Sequence, residues 1–375
     1  MPDYQVVHFN EADQDKVHAF LHEEYPRRGD FMEQHHAWLY RNDKWRWVIV
    51  DADDGSIAAH VALPPVNIWL NGRVQESCWT IDLMVGHGVR DRRLFWVLHS
   101  IVPTYVEVLM AFPNKYTRLF SKQAKWTQRE SGFRFAMPLS PWSFGYILKI
   151  QADARRPRNM RRVSKWKKLR YRIVDRLTRI AAGGAIFPFT RLARFYLARY
   201  RPTTARELTR PSAALLAGVF KRHHLNSTIM TDYRDEDHLQ WRFLDAPMAD
   251  EFRYYAAGPT DAPTHIVIAR TAPYRDHLVT RIVDMYGDLD DLDGLRDALR
   301  LAMRDAARAG ADMITTIATL PALDALLRDL RFSEYGDLVF ACWSEDNKAL
   351  MQEISEASAS AHWTFADSDF DVVLM

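Results

Sequence analysis

Three short runs carry the residues best placed to do chemistry: Trp79-Thr-Ile-Asp-Leu-Met-Val85, Gly86-His-Gly-Val-Arg-Asp-Arg-Arg-Leu-Phe95 and Met110-Ala-Phe-Pro-Asn114. They read as a buried strand holding one acid, a basic loop that opens a helix, and a second strand ending on Pro-Asn. Arg90, Arg92 and Arg93 at the helix start point to an anion site, because free N–H groups and the positive helix end favour negative charge. The loop has the charge, but after Gly88 it holds no glycine, so from Arg90 to Phe95 close approach by the backbone is sterically filled. Asp82 has two readings: a proton acceptor, if an amine lies beside it and its pKa sits near working pH, or a strand acid paired with hydrogen-bond donors. Asn114 reads equally as a turn residue and as a ligand contact.

A frame of strands and helices must hold these groups. Residues 4–9 read as a strand, 11–22 as an amphipathic helix and 31–39 as a second, short helix. Residues 45–50 turn at Asp53-Asp-Gly-Ser56 and return as 57–62, since Asp-Gly between β-rich runs signals a hairpin. A strand after Pro65 turns at Asn71-Gly72 and leads into 79–85. Residues 94–110 hold a helix and a strand, 115–125 a helix, and 133–137 a closing strand. The stretch 155–182 is helical in propensity, and Pro188, Pro202 and Pro211 break the chain beyond it. From Ser212 come a helix (213–223), strands (251–257, 265–269, 278–285), a helix (292–309), a strand (313–317), a helix (322–330), and strands (335–342, 371–374).

The two halves echo each other. A strand with an acid (Asp82; Asp284) precedes helix, strand, helix and a basic-aromatic turn, Lys125-Trp126 or Arg331-Phe332, at intervals of 44 and 48 residues. A duplicated α/β unit explains that order.

With 375 residues, 48% of them hydrophobic, the chain can build two ordinary domains. Cys78 and Cys342, 264 residues apart, suggest neither a disulfide framework nor a zinc site. His35-His36 and His223-His224 are adjacent pairs that point apart, so no metal is expected. No signal peptide and no run of 18 apolar residues is visible, which leads us to expect a cytoplasmic protein, soluble or peripheral on the inner membrane face. The net charge of +2 hides an asymmetry: residues 155–210 hold 18 Lys/Arg and two acids, hence +16, and the rest carries −14. Such a segment reads as a solvated arm, as a surface for an anionic membrane or a protein partner, or as a nucleic-acid grip.

The first half resembles the GNAT superfamily of N-acyltransferases over about 140 residues, and the whole chain resembles its tandem members. The resemblance implies that backbone at Met84 and Val85 pairs with the pantetheine arm of acetyl-CoA, that Arg90, Arg92 and Arg93 hold the pyrophosphate, and that Asn114 meets the cofactor arm. Asp82 would be the general base. Where relatives carry a tyrosine acid, this chain has Phe120 or Ser121, and Tyr116 is the nearest hydroxyl. Arg93 and Phe95 fill both glycine positions of the family loop, and Lys125 replaces a later glycine. The second half's loop, Gly287-Asp-Leu-Asp-Asp-Leu-Asp-Gly294, would repel phosphate. His238-Leu-Gln-Trp-Arg-Phe243 resembles a Trp-Arg-Phe signature of second domains near polysaccharide assembly.

The expectation is therefore an α/β (α+β) fold of two GNAT-like domains, 1–145 and 212–375, each a mixed sheet flanked by helices. The basic helical segment 146–211 joins them. The implied function is acetyl transfer from acetyl-CoA to a small-molecule amine, such as an amino sugar or a polysaccharide precursor, without a metal. The alternatives are an inactive GNAT-like scaffold on a membrane or complex, and a tRNA-dependent aminoacyl transferase.

Overall fold

The computed structural model describes residues 4–24, 29–40, 46–86, 107–113, 117–155, 184–226, 228–274, 276–344 and 347–367. In the first half the strands are β1 (Tyr4–His8), β2 (Arg46–Asp51), β3 (Ile57–Ala62), β4 (Pro65–Leu70), β5 (Arg73–Trp79), β6 (Ile81–Val85), β7 (Leu109–Ala111) and β8 (Thr127–Pro138). The second half adds β9 (Arg206–Leu208), β10 (Met230–Asp232), β11 (Phe252–Ala257), β12 (His265–Tyr274), β13 (His277–Gly287), β14 (Met313–Ala318), β15 (Ser333–Trp343) and β16 (Ala361–His362).

Turn chemistry sets the local pairings. Asn71 (φ 47°) and Gly72 (φ 89°) close the β4–β5 hairpin with Leu70 opposite Arg73, the left-handed pair that a two-residue turn demands. Gly55 (φ 68°) serves the β2–β3 turn. β1, β2, β3 and β6 form a small sheet. The others form one twelve-stranded sheet in the order β16-β10-β4-β5-β7-β15-β8-β14-β13-β12-β11-β9.

At its centre the halves exchange strands. The order β7-β15-β8-β14 alternates first half, second half, first half, second half. β8 and β15 pair antiparallel from Ser333–Ala136 to Cys342–Thr127, and each lies beside the short parallel-sheet strand of the other half. Two cores flank this seam. One packs Leu295, Leu299 and Met303 of helix Leu292–Arg308 under β12 and β13. The other collects Trp79, Phe340 and Trp363 from both halves.

The echo between the halves extends to their caps. Helices Thr117–Gln123 and Pro321–Asp329 end on Lys125 (φ 60°) and Arg331 (φ 70°). In each, the next amide reaches back across the turn: Trp126 N to Ser121 O, and Phe332 N to Leu327 O, both 2.9 Å. That is a Schellman closure, where glycine is the unstrained residue. Residues 31–39 divide between helices Gly29–Gln34 and His36–Tyr40. Pro188 falls in the opening turns of a helix over 184–198, where it removes one backbone bond without ending the helix. Helices Pro141–Arg155 and Lys348–Ala357, together with β9, β10 and β16, lack a sequence signal strong enough to be expected.

Arg331→Gly should raise unfolding free energy by about 1 kcal/mol by relieving the left-handed strain. Gly132→Ala should lower it by about 3 kcal/mol, because an added Cβ would lie 2.2 Å from Ala318 O, where β8 crosses to β14. Chemical denaturation of the two variants checks both values.

Candidate functional site

Residues 73–85 form one long strand whose two parts choose different partners. β5 runs parallel to β7 through Cys78–Leu109 and Trp79–Met110, and Thr80 N makes a last bond to Met110 O at 2.7 Å. β6 then leaves β7 and pairs with β3. Ala62 faces Ile81 and His60 faces Met84, so β6 holds one extra residue, absorbed at Asp82 with φ 50°. The bulge turns β6 away and opens a V whose apex is Thr80. Among the described residues, Leu83, Met84 and Val85 make backbone hydrogen bonds only toward β3.

Asp82 is buried and locked at this bulge. The Tyr40 hydroxyl donates to Asp82 Oδ2 at 2.6 Å, and His60 Nδ1 lies 3.0 Å from Asp82 O. Arg46 Nε lies 2.9 Å from His60 Nε2, and its guanidinium stacks on Phe9 and Tyr40.

Beside the apex lies a narrow pocket, about 30 Å³, walled by Trp38, Pro64, Trp79, Trp241 and Arg242. Trp38 and Trp241 clasp the halves together: each indole N–H donates to the other's backbone carbonyl, at 2.8 and 2.7 Å. Asp232, on β10, enters the pocket, and Trp79 Nε1 donates to its Oδ2 at 3.0 Å. No described donor reaches Asp232 Oδ1. The Asp367 carboxyl faces it, and two carboxylates can share such a contact only with a proton between them.

Behind Asp232, Arg234 is fully buried and fully used. Its Nε donates to Asp284 Oδ2 at 2.7 Å and its Nη2 to Asp367 Oδ1 at 2.9 Å, while Nη1 takes Thr231 Oγ1 and Asp232 O. One guanidinium against three buried carboxyls leaves excess negative charge, which burial makes costly. Burial, then the charge of Asp367, pushes the Asp232 carboxyl well above the usual carboxylate range. Burial likewise raises Asp367. Nearby, His362 Nδ1 lies 2.7 Å from His224 Nε2, and His224 Nδ1 lies 3.3 Å from Gly287 O. Burial and then the charge of Arg234 pull His224 down to about 3; burial, His224 and Arg234 take His362 well below the usual imidazole range.

The second half repeats the parting of strands. β13 runs parallel to β14 only from Val279–Met313 to Arg281–Thr315, and an extra residue, Val283, bulges it against β12. Here the chain fills its own gap. Ala366 N donates to Val283 O at 2.9 Å, Trp363 N to Thr319 Oγ1 at 2.9 Å, and Thr364 Oγ1 to Asp284 Oδ1 at 3.0 Å. Residues 361–367 are buried throughout.

Of the residues singled out in the sequence, Asp82, Met84 and Val85 come together on β6 at the V. Arg90, Arg92, Arg93, Asn114 and Tyr116 lie outside the described residues, as does most of 155–183. Asp232, Arg234 and Asp367 carry no sequence signal of their own. They are separated by up to 135 residues, and only a cluster of acids around one buried arginine, invisible in one dimension, marks them. Of the Trp-Arg-Phe signature, Trp241 and Arg242 line the pocket and Phe243 packs in the core. Cys78 and Cys342 are free and buried, and burial pushes each thiol up to about 12. No group of metal ligands occurs among the described residues, and no described helix is long and apolar enough to cross a membrane.

No protein-family model matches the sequence, and no curated protein matches it. Solved structures do. N-myristoyltransferase of Saccharomyces cerevisiae with bound myristoyl-CoA superposes with a TM-score of 0.58 at 13% identity, covering 93% of this chain and 80% of that one. A GCN5-related N-acetyltransferase from Kribbella flavida gives 0.55 at 13%, over 92% and 72%. One from Anabaena variabilis gives 0.52 at 12%, over 91% and 72%. The fold is GNAT-like, in tandem. The splayed strands β6 and β7 belong to the first GNAT-like unit, and β13 and β14 to the second.

The histidine pair predicts acid lability. Unfolded imidazoles take protons near 6.5, whereas folded His224 does so only near 3, so this stability is complete above 6.5 and is lost as pH falls toward 3. The loss should reach about 1.4 kcal/mol per pH unit for each histidine. Denaturant melts from neutral to mildly acid pH should show that slope, and His362→Asn should flatten it.

Proposed function

We propose that the chain is an acyl-CoA-dependent N-acyltransferase whose single active site is the V of the first GNAT-like unit. The observation that carries this reading is the contrast between the two partings: the second is closed by residues 361–367, while in the first no described residue pairs with the outer edge of β6, beside a pocket holding Asp232. In this reading the pantetheine arm pairs with Met84 and Val85, Arg90, Arg92, Arg93 and Asn114 hold the nucleotide end, and the thioester rests near Thr80.

The amine nitrogen attacks the thioester carbonyl carbon, its proton passes to Asp232 directly or through one water, and the carbon–sulfur bond breaks to release the thiol. A carboxyl with a raised pKa is better matched to that transfer than an ordinary one. Asp82, committed to Tyr40, would hold the bulge, and Tyr116 would protonate the departing thiolate. A pocket this small admits only a few heavy atoms, which favours acetyl over a long acyl chain. An amino sugar is the proposed acceptor, its amine alone entering the pocket beside Trp38 and Trp241 while the ring stays outside.

Calorimetric titration should detect acetyl-CoA binding, weakened by Arg92→Ala with Arg93→Ala. Thiol release with amino-sugar acceptors should rise with pH as Asp232 loses its proton. Asp232→Asn should cut kcat by about 10²–10⁴ while leaving acetyl-CoA affinity nearly unchanged. If Asp82→Asn instead abolishes turnover and Asp232→Asn does not, the base is Asp82. Absence of heat at high micromolar acetyl-CoA would support a non-catalytic scaffold, the reading that Arg93 and Phe95 in the glycine positions favour.

A further inference from the structure

Helix 184–198 turns two unlike faces outward and inward. Inward, Thr190 is buried, Leu197 and Ala198 pack on the core, and Arg194 Nη2 donates to Gly310 O at 3.2 Å and to Ala311 O. Arg308 Nε donates to Ala198 O at 2.9 Å and holds the other end. Outward, Phe189 is 68% exposed, Tyr196 66% and Leu192 51%, with Phe187 and Phe195 beside them. At 100° per residue Phe195, Leu192, Tyr196 and Phe189 fall within about 120° of one another, with Phe187 beyond the edge of that arc. Folded chains seldom leave such a patch to water unless something covers it.

The arginines of the same arc indicate what covers it. The Arg191 guanidinium lies 4.9 Å from the Phe187 ring centre and that of Arg199 lies 3.7 Å from Phe195. Both guanidinium heads thus lie over exposed rings, so cations and aromatics share one face, as they do on helices that lie in a membrane interface. Residues 184–200 contain no acid, and the surrounding stretch 155–210 carries +16 in a chain whose remainder carries −14. A second anchor stands at the same end. Ser143 Oγ donates to Asp312 O at 2.7 Å, so helix Pro141–Arg155 is pinned to the turn that also holds Arg194, and its Trp142 is 72% exposed.

We propose that this face docks the protein on an anionic lipid bilayer, the helix lying flat with Phe189, Leu192 and Tyr196 in the headgroup–acyl boundary. Aromatic and aliphatic groups between the arginines favour lipid over a phosphate backbone alone, which would need cations rather than a continuous apolar arc. The inference is independent of the acyltransferase reading.

Co-sedimentation of the full chain with phosphatidylglycerol-containing vesicles and with pure phosphatidylcholine vesicles tests it. Anionic vesicles should bind about tenfold or more tightly than neutral ones at low salt, and high salt should narrow the gap. The combined variant Phe189→Ser, Leu192→Ser, Tyr196→Ser should lose about tenfold with an unchanged melting curve. Should that variant unfold, Arg191→Glu with Arg199→Glu is expected to show the same loss and a flat salt response. Equal binding to both vesicles, binding to neither, or unaltered binding by folded variants overturns the proposal. Self-association abolished by the same substitutions without vesicle binding would assign the face to a second copy, and salt-sensitive tRNA binding in place of vesicle binding would assign it to nucleic acid. Either result also overturns it.

Discussion

β8 and β15 pair from Ser333–Ala136 to Cys342–Thr127, with bulges at Tyr335 and Ser131, and each comes from a different half of the chain. Neither half can therefore complete its sheet alone, because the strand beside its parallel pair is supplied by the other. The exchange also fixes where each V opens, since β7 and β14 are held in place by a borrowed neighbour. Gly132 marks how tightly this is built: β8 passes so close to the end of β14 that no side chain fits. Fusion of two sheets removes two exposed edges, which would otherwise invite pairing with other chains.

From that symmetrical frame the halves diverge through what lies in the gap between parting strands. In the first half a one-residue bulge at Asp82, tied down by Tyr40 and His60, turns β6 toward β3, and no described residue pairs with its outer edge. In the second an equivalent bulge meets the chain's own residues 361–367, whose amides and hydroxyls satisfy Val283, Thr319 and Asp284. Unpaired backbone in a sheet interior is costly, so a cleft of this kind is either used or filled.

Filling the second cleft also brings Asp367 against Arg234 and Asp232. A single guanidinium cannot neutralise three carboxyls, and burial raises both Asp232, which lines the pocket, and Asp367. Closure of one half thus places a second buried carboxyl beside the pocket between the halves. Trp38 and Trp241, each bonded to the other's backbone, keep the pocket walls of the two halves in register.

Much of this architecture is written locally. The Asp-Gly and Asn-Gly turns, the alternation of the strands and the repeated acid-to-aromatic interval each depend on residues near one another, so the duplicated α/β unit and the strand carrying Asp82, Met84 and Val85 are legible in one dimension. Strand exchange, the pairing of Trp38 with Trp241, and the meeting of Asp232, Arg234, Asp284 and Asp367 depend on contacts across 50 to 203 residues. No periodicity or motif encodes them, because burial, not spacing, is what brings those groups together and shifts their protons. The sequence by itself determined a repeated fold with a basic arm; which cleft residues 361–367 fill, and which carboxyls meet around Arg234, was decided only when the two halves closed on each other.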